Sequence, residues 1–214
     1  AASGASATAR RPKPVRVEAV IVNYRTADLT EACLRALARD RREEIALFVR
    51  QTQPGVQKVL DIAAGHGLFG IEIARRLPDA KLVALDWPNV LAVAQELARE
   101  VGVQSRYRTI AGDAFQQELG TGYDLVLLTN FLHHFSAATC ETLLHKIHQC
   151  LVTDGRVITL EFVPNDDRVT PPPVAEFSLI MLATTPEGDA YTFKEYEQMF
   201  SGAGFSRTEL HPVQ

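Results

Sequence analysis

The sequence predicts an α/β protein built on a doubly wound, mostly parallel sheet with helices on both faces. Three observations predict it. Short apolar runs alternate with helix-patterned segments from about residue 57 onward. A glycine-rich turn, DIAAGHGLFG (61–70), joins the first of those runs to the first of those helices. The chain has 214 residues, 46% of them apolar, enough for one α/β domain plus a short extra segment and too few for two full domains.

The elements follow in chain order. Residues 1–16, beginning AASGASATARRPKP, have no apolar centre, so they read as a disordered leader and not as a signal peptide. Residues 17–54 read as an N-terminal strand–helix–helix segment, with VEAVIVN as the strand and a helix over 27–39. Pro54-Gly55 turns the chain into a third part, 55–214. There VLDI (59–62) is a buried strand, and Phe69, Ile73 and Leu77 share one helix face. KLVALD (81–86) is a second strand, and 89–100 a helix rich in Ala, Leu and Val. RYRTIAG (106–112) is a third, more exposed strand, and YDLVLLT (123–129) a central fourth. Ser136 can cap a helix burying Leu144, Ile147 and Leu151. Asp154-Gly155 turns the chain into RVITLE (156–161), the fifth strand. FSLIMLA (177–183) is compatible with a helix, and Thr192 with Glu195 forms a capping box for a helix carrying Phe193, Tyr196 and Phe200. FSRTELHPV (205–213) reads as a last strand.

The glycine turn lies within a βαβ unit, the setting of a Rossmann-like cofactor site. Gly65 and Gly67 remove side chains where the backbone must approach a ligand. Asp86 ends the next strand, where an acid can accept hydrogen bonds from ribose hydroxyls. Gly65, Gly67 and Gly70 alone also fit a nicotinamide-dependent oxidoreductase. Asp61 argues against that reading, because a pyrophosphate beside it would meet a fixed negative charge. A ligand with a positive amino group and a sulfonium would instead be helped.

From about Gln57 to Pro212 the chain resembles the class I S-adenosylmethionine-dependent methyltransferases, in particular the small-molecule O-methyltransferases of the plant caffeic acid and bacterial carotenoid and polyketide type. VLDIAAGHG, VALDWPNV, AGDAF, LLTNFLHHFSAATC and GRVITLEFVP carry the resemblance. It implies S-adenosyl-L-methionine as cofactor and a phenol or similar small-molecule hydroxyl as acceptor. It implies ribose binding by Asp86, adenine contacts from Asp113 and Ala114, and the methionine part on the loop of Gly65, Gly67 and Asp61. Trp87, Phe115 and Thr129 are further implied cofactor contacts. His133, matching a histidine just beyond the fourth strand, is the implied general base, and Glu161 the acid that orients it. A second family glutamate falls within Gly188 to Thr192, where Ala190 stands with Asp189 beside it. A methyltransferase-like protein that binds ligand without catalysis is the remaining alternative.

Family members carry an N-terminal winged-helix domain that dimerises, so a homodimer is among the implied assemblies, although 55 residues cannot supply that whole domain. Residues 17–37 instead resemble the first strand and helix of family 2 glycosyltransferases. The family's sheet closes with a final antiparallel strand, which this chain does not provide after 205–213. We therefore expect residues 17–23 to fill that sheet position, beside 156–161 and 205–211.

Other classes are disfavoured. The net charge is −4 with no dense basic block, which argues against nucleic acid as partner. No apolar run approaches the roughly 20 residues of a membrane span. Cys33, Cys140 and Cys150 lack CxxC spacing, as expected for a cytoplasmic protein with reduced thiols. His145, His148 and Cys150 do not converge on one helix face, so no metal site is expected. Phe177, Phe193 and Tyr196 read as core.

Overall fold

A computed structural model describes residues 16–22 and 31–213, with side chains over 41–211. Residues 1–15, which hold nearly all of the expected leader, lie outside the described residues. The order is β1 (Arg16–Val22), α1 (Glu31–Thr52), β2 (Lys58–Ile62), α2 (Leu68–Arg76), β3 (Lys81–Asp86), α3 (Pro88–Glu100), β4 (Tyr107–Ala111), β5 (Tyr123–Thr129), α4 (Ala137–Cys150), β6 (Leu151–Glu161), α5 (Pro172–Thr184), α6 (Phe193–Gly202) and β7 (Leu210–Val213).

The strands form one seven-stranded sheet in the order β4-β3-β2-β5-β6-β1-β7. Every pairing is parallel. The central strands are apolar on both faces because helices cover both. Leu60 and Ile62 of β2 enter a core with Leu143, Leu144 and Ile147 of α4 and Tyr196 and Phe200 of α6. Val59 faces the other way, into a second core with Ile45, Ala46 and Val49 of α1 and Ile71 and Ile73 of α2. Each such fully buried aliphatic side chain contributes about 1.5–3 kcal/mol.

Local signals explain the helix starts. The Ser136 side chain accepts from the Thr139 N–H. Thr192 and Glu195 make both bonds of the capping box. Pro88 opens α3, whose buried residues Leu91, Ala94 and Ala98 recur at helical spacing.

Four expectations need correction. A single 22-residue helix, α1, spans the region read as two helices. Leu151 opens a strand and does not end a helix, and Asp154-Gly155 forms an irregularity within β6, with Asp154 at φ 63°. The last strand is only Leu210–Val213, because β1 offers it just the partners Ala19 to Val22. Phe177 is half-buried and lies at the rim described below, not in a core. Tyr196 is buried in the core as expected.

β1 lies between β6 and β7, in register Arg16↔Arg156 to Ile21↔Glu161 on one side and Ala19↔Leu210 to Val22↔Val213 on the other. The N-terminal strand thus occupies the expected slot, but parallel to its neighbours. α1 packs on α2 and reaches β7, where the Phe48 and His211 rings lie 4.7 Å apart.

Candidate active site

Strand order reverses between β2 and β5, which opens a crevice at the carboxyl ends of the strands. A cavity of about 260 Å³ lies there, lined by Ala63, Leu85, Asp86, Trp87, Gly112, Asp113, Ala114, Phe115, Phe131 and Phe135. Five of the residues singled out for the cofactor, Asp86, Trp87, Asp113, Ala114 and Phe115, therefore meet around one space. Trp87 is 57% exposed, so it forms the rim. Phe115 and Phe131 each set an edge against Phe135 at 5.0 Å, giving the cavity an aromatic wall. Phe131 and Phe135 were not singled out from sequence.

The glycine loop closes one end of the crevice on Asp86. Asp86 Oδ2 accepts from the Gly65 N–H at 2.8 Å, and Oδ1 from the Trp87 N–H at 2.7 Å. Gly67 sits at φ 75°, a backbone that L side chains rarely adopt, and an added Cβ would lie 2.7 Å from the Tyr107 hydroxyl. Gly70 packs α2 onto the sheet: a Cβ there would lie 2.7 Å from Leu82 Cδ1 and 2.8 Å from Asp61 Oδ2. Gly65 and Gly67 support the loop without lining the cavity. Thr129, the last residue of β5, is buried and does not line it either.

Asp61 is fully buried beneath this loop. Its Oδ2 accepts from the Gly70 N–H at 3.1 Å, while Oδ1 has no partner among the described residues. Burial pushes its pKa from 3.8 up to about 7, the Gly70 N–H opposes this, and the Asp86 charge adds to it. A buried carboxylate oxygen without a donor is costly. It suits a site completed by a cationic ligand and is hostile to a phosphate.

Farther along the same carboxyl edge, after β5 and at the end of β6, lie His133 and Glu161. Residues Leu132–His134 form one 3-10 turn after β5, and Glu161 ends the neighbouring β6. His133 Nδ1 and Glu161 Oε2 are 2.5 Å apart, and the side chains are 5% and 1% exposed. Glu161 Oε1 accepts from the N–H groups of Phe131 at 3.0 Å and Leu132 at 2.8 Å. The carboxylate therefore fixes both the imidazole and the turn that carries it. With Glu161 ionised, Nδ1 is the donor to it and Nε2 keeps its lone pair. Nε2 makes no hydrogen bond to another described residue.

Phe177 of α5 sets its edge on the His133 ring at 4.9 Å and stacks on Phe162 at 4.0 Å. His134 lies against His133 at 4.3 Å, and burial, followed by the neighbouring imidazole, lowers its pKa against the opposing pull of Glu161. Asp189 does not reach the imidazole. Its N–H donates to the His133 carbonyl at 3.0 Å, and its carboxylate is taken by Ser178, Arg168 and the Ala190 N–H. Ala190 is buried beside it. The imidazole thus has one carboxylate partner. His145 contacts Gln149, and His148 packs on Phe205. Cys140 and Cys150 are free and buried, with burial pushing their pKa values up to about 12 and about 11.

The fold and site define a class of protein: a parallel α/β sheet that sets a crevice lined by two carboxylates, Asp86 and Asp113, near a buried histidine–carboxylate pair. The family profile of the O-methyltransferase domain matches residues 23–206. The chain belongs to that family. It is 33% identical over 152 residues to 3-hydroxy-5-methyl-1-naphthoate 3-O-methyltransferase of Streptomyces sahachiroi, covering 71% of this chain and 44% of that one. Among solved structures, a protein of Nostoc punctiforme PCC 73102 assigned to the O-methyltransferases matches with TM-score 0.78 and 55% identity, over 82% of this chain and 52% of that one. PigF with S-adenosylhomocysteine matches with TM-score 0.71 and 32% identity, over 79% and 51%. The chain spans about half the length of these relatives. No described helix is long and apolar enough to cross a membrane.

Proposed function

We propose that the protein transfers the methyl group of S-adenosyl-L-methionine to the oxygen of a small-molecule hydroxyl, with His133 as general base and Glu161 as its orienting partner. The buried 2.5 Å pair of His133 and Glu161, at the same carboxyl edge of the parallel sheet as Asp86 and Asp113, is the observation that carries this reading. The residues present fit the cofactor. Asp86 and Asp113 offer acceptors to ribose and adenine, the aromatic wall encloses a flat base, and the unpartnered Asp61 Oδ1 favours the positive methionine end. When bound, the cofactor supplies an electrophilic methyl carbon on a positive sulfur, which departs as a neutral thioether.

The chain's own work is proton transfer and alignment. His133 Nε2 takes the acceptor's hydroxyl proton as the oxygen–carbon bond forms and the carbon–sulfur bond breaks. Glu161 holds the tautomer that leaves Nε2 able to accept, and it stabilises the imidazolium formed. Phe162 and Phe177 shield the imidazole from water. The hydroxynaphthoate relative supports an aromatic hydroxyl as acceptor. The exposed apolar residues Leu179, Ile180 and Leu182 of α5 support a partner surface, in keeping with a homodimer.

Methyl transfer to a panel of phenols of high pKa tests the reading. His133→Ala should lower turnover by roughly 10²- to 10⁴-fold with cofactor binding intact, and His134→Ala much less. Equal losses in the two variants, or none, would remove His133 from the role.

A further inference from the structure

We propose that Lys146 is the positioning residue that shapes the adenine-reading turn, so that base discrimination depends on a side chain of α4 that lines no part of the cavity. This rests on the methyltransferase reading above. Lys146 Nζ donates to three carbonyl oxygens of one turn, those of Ala114 at 2.9 Å, Phe115 at 3.0 Å and Gln117 at 2.6 Å. An ammonium has three N–H donors, and all three are used here on peptides of one turn. Such bonds carry the full charge of the donor and are the stronger kind.

The consequence is directional. Drawing these carbonyls toward α4 fixes the planes of the peptide units that carry them, and so aims the N–H groups of Phe115 and Gln116, which belong to two of those units, at the carboxylate and carbonyl of Asp113. The same turn is held from its other end by Asp113. The Asp113 Oδ1 accepts from the Phe115 N–H at 2.9 Å, and its carbonyl accepts from the N–H groups of Gln116 at 3.0 Å and Gln117 at 2.9 Å. What remains without a protein partner among the described residues is the Ala114 N–H and Asp113 Oδ2, one donor and one acceptor on two consecutive residues that line the cavity. That pair complements adenine, which presents a ring-nitrogen acceptor beside an amino donor. Hypoxanthine presents a ring N–H beside a carbonyl and is mismatched at both places. Lys146 thus acts on specificity through the backbone, touching neither cofactor nor acceptor.

The test compares S-adenosylhomocysteine with S-inosylhomocysteine by calorimetry on the full chain. Wild type should prefer the adenine form by about tenfold or more, as expected when two polar groups are mispaired. In Lys146→Met the adenine form should weaken by about tenfold or more and the preference should shrink toward unity, with turnover at saturating cofactor largely kept. Lys146→Arg, which keeps the charge but in a planar fork, should fall between the two and serves if the Met variant does not fold. A Lys146 that only stabilises the fold would lower the melting temperature and leave the preference unchanged. An unchanged preference in a folded variant overturns the proposal while the methyltransferase reading stands. Failure of wild type to bind S-adenosylhomocysteine overturns both.

Discussion

Replacing Glu161 by Gln separates the chemical duty of this carboxylate from its structural one. Three hydrogen bonds converge on it: the N–H groups of Phe131 and Leu132 at 3.0 and 2.8 Å on Oε1, and His133 Nδ1 at 2.5 Å on Oε2. In Glu161→Gln the amide oxygen can keep both backbone donors, which turns the NH₂ toward Nδ1. Nδ1 must then accept, so the ring proton moves to Nε2, and Nε2 can no longer take a proton from the acceptor. A histidine held in the wrong tautomer loses roughly 10²- to 10⁴-fold in turnover, or about 3 to 5 kcal/mol of barrier. Stability should change little, since the two backbone bonds survive. Glu161→Ala should behave differently, because it strands two buried N–H groups at about 1–3 kcal/mol each. The assay is transfer of labelled methyl to a phenol of high pKa, with S-adenosylhomocysteine affinity and a thermal melt measured on the same preparation. A folded Gln variant that binds S-adenosylhomocysteine normally and turns over at the wild-type rate would refute the reasoning.

Two further outcomes follow from the acids under the glycine loop. Burial raises the Asp61 pKa from 3.8 to about 7, so the folded state holds its proton more tightly than the unfolded state. Its stability contribution is therefore fully present below pH 3.8 and lost as pH rises toward about 7, a change on the order of 4 kcal/mol for the ligand-free protein. Asp61→Asn should flatten that part of a stability–pH profile measured by denaturant unfolding, and an unchanged slope would contradict it. Cofactor affinity in wild type should run the opposite way, rising with pH as the carboxylate ionises. Asp86→Ala should weaken S-adenosylmethionine binding by about 1.5–3 kcal/mol, through lost ligand bonds and through release of the Gly65 N–H that it holds at 2.8 Å. Unchanged affinity by calorimetry would sink that assignment.

What the sequence made legible is local in character. Ser136 with Thr139, Thr192 with Glu195, and the apolar runs of β2, β3 and β5 announce themselves within a few residues, because caps and strands are short-range patterns. The acids near strand ends were legible for the same reason: Asp86 and Glu161 each close an apolar run, and Asp61 interrupts one just before its end. What was not legible depends on distant chain segments meeting. Phe177 reads as core within FSLIMLA, yet α5 crosses the rim and sets it against His133. Lys146 has the look of a solvated helix residue, and its three acceptors lie 29 to 32 residues away. Asp189 stands beside the place of the family's second acid, and its sequence neighbours do not show that Arg168, 21 residues earlier, takes its carboxylate at 2.7 Å. In each case the residue type fitted two environments, and only the packing of helices on the sheet chose between them.

The position of β1 shows which features of a sheet slot are constrained and which are open. A strand place between β6 and β7 asks for a segment that can pair on both sides, since unpaired backbone groups of two neighbours would otherwise be left inside the sheet. It also asks for apolar residues on both faces where helices cover the sheet. VEAVIVN meets both demands, and that is what made its place foreseeable. Neither demand sets a direction, because parallel and antiparallel ladders can both satisfy the same donors and acceptors. The connection sets it. β1 is followed by α1 and then by β2, and a strand that feeds a covering helix and returns to a parallel strand must itself run parallel. α1 is the element that makes this connection favourable. Ile45, Ala46 and Val49 bury its apolar face in the same core as Ile71 and Ile73 of α2, while Phe48 meets His211 on the far edge strand. The helix thus ties the edge formed by β1 and β7 to the strands that carry Asp61 and Asp86, and it does so from the face opposite α4 and α6, which support the His133 turn and the turn from Asp113 to Gln117.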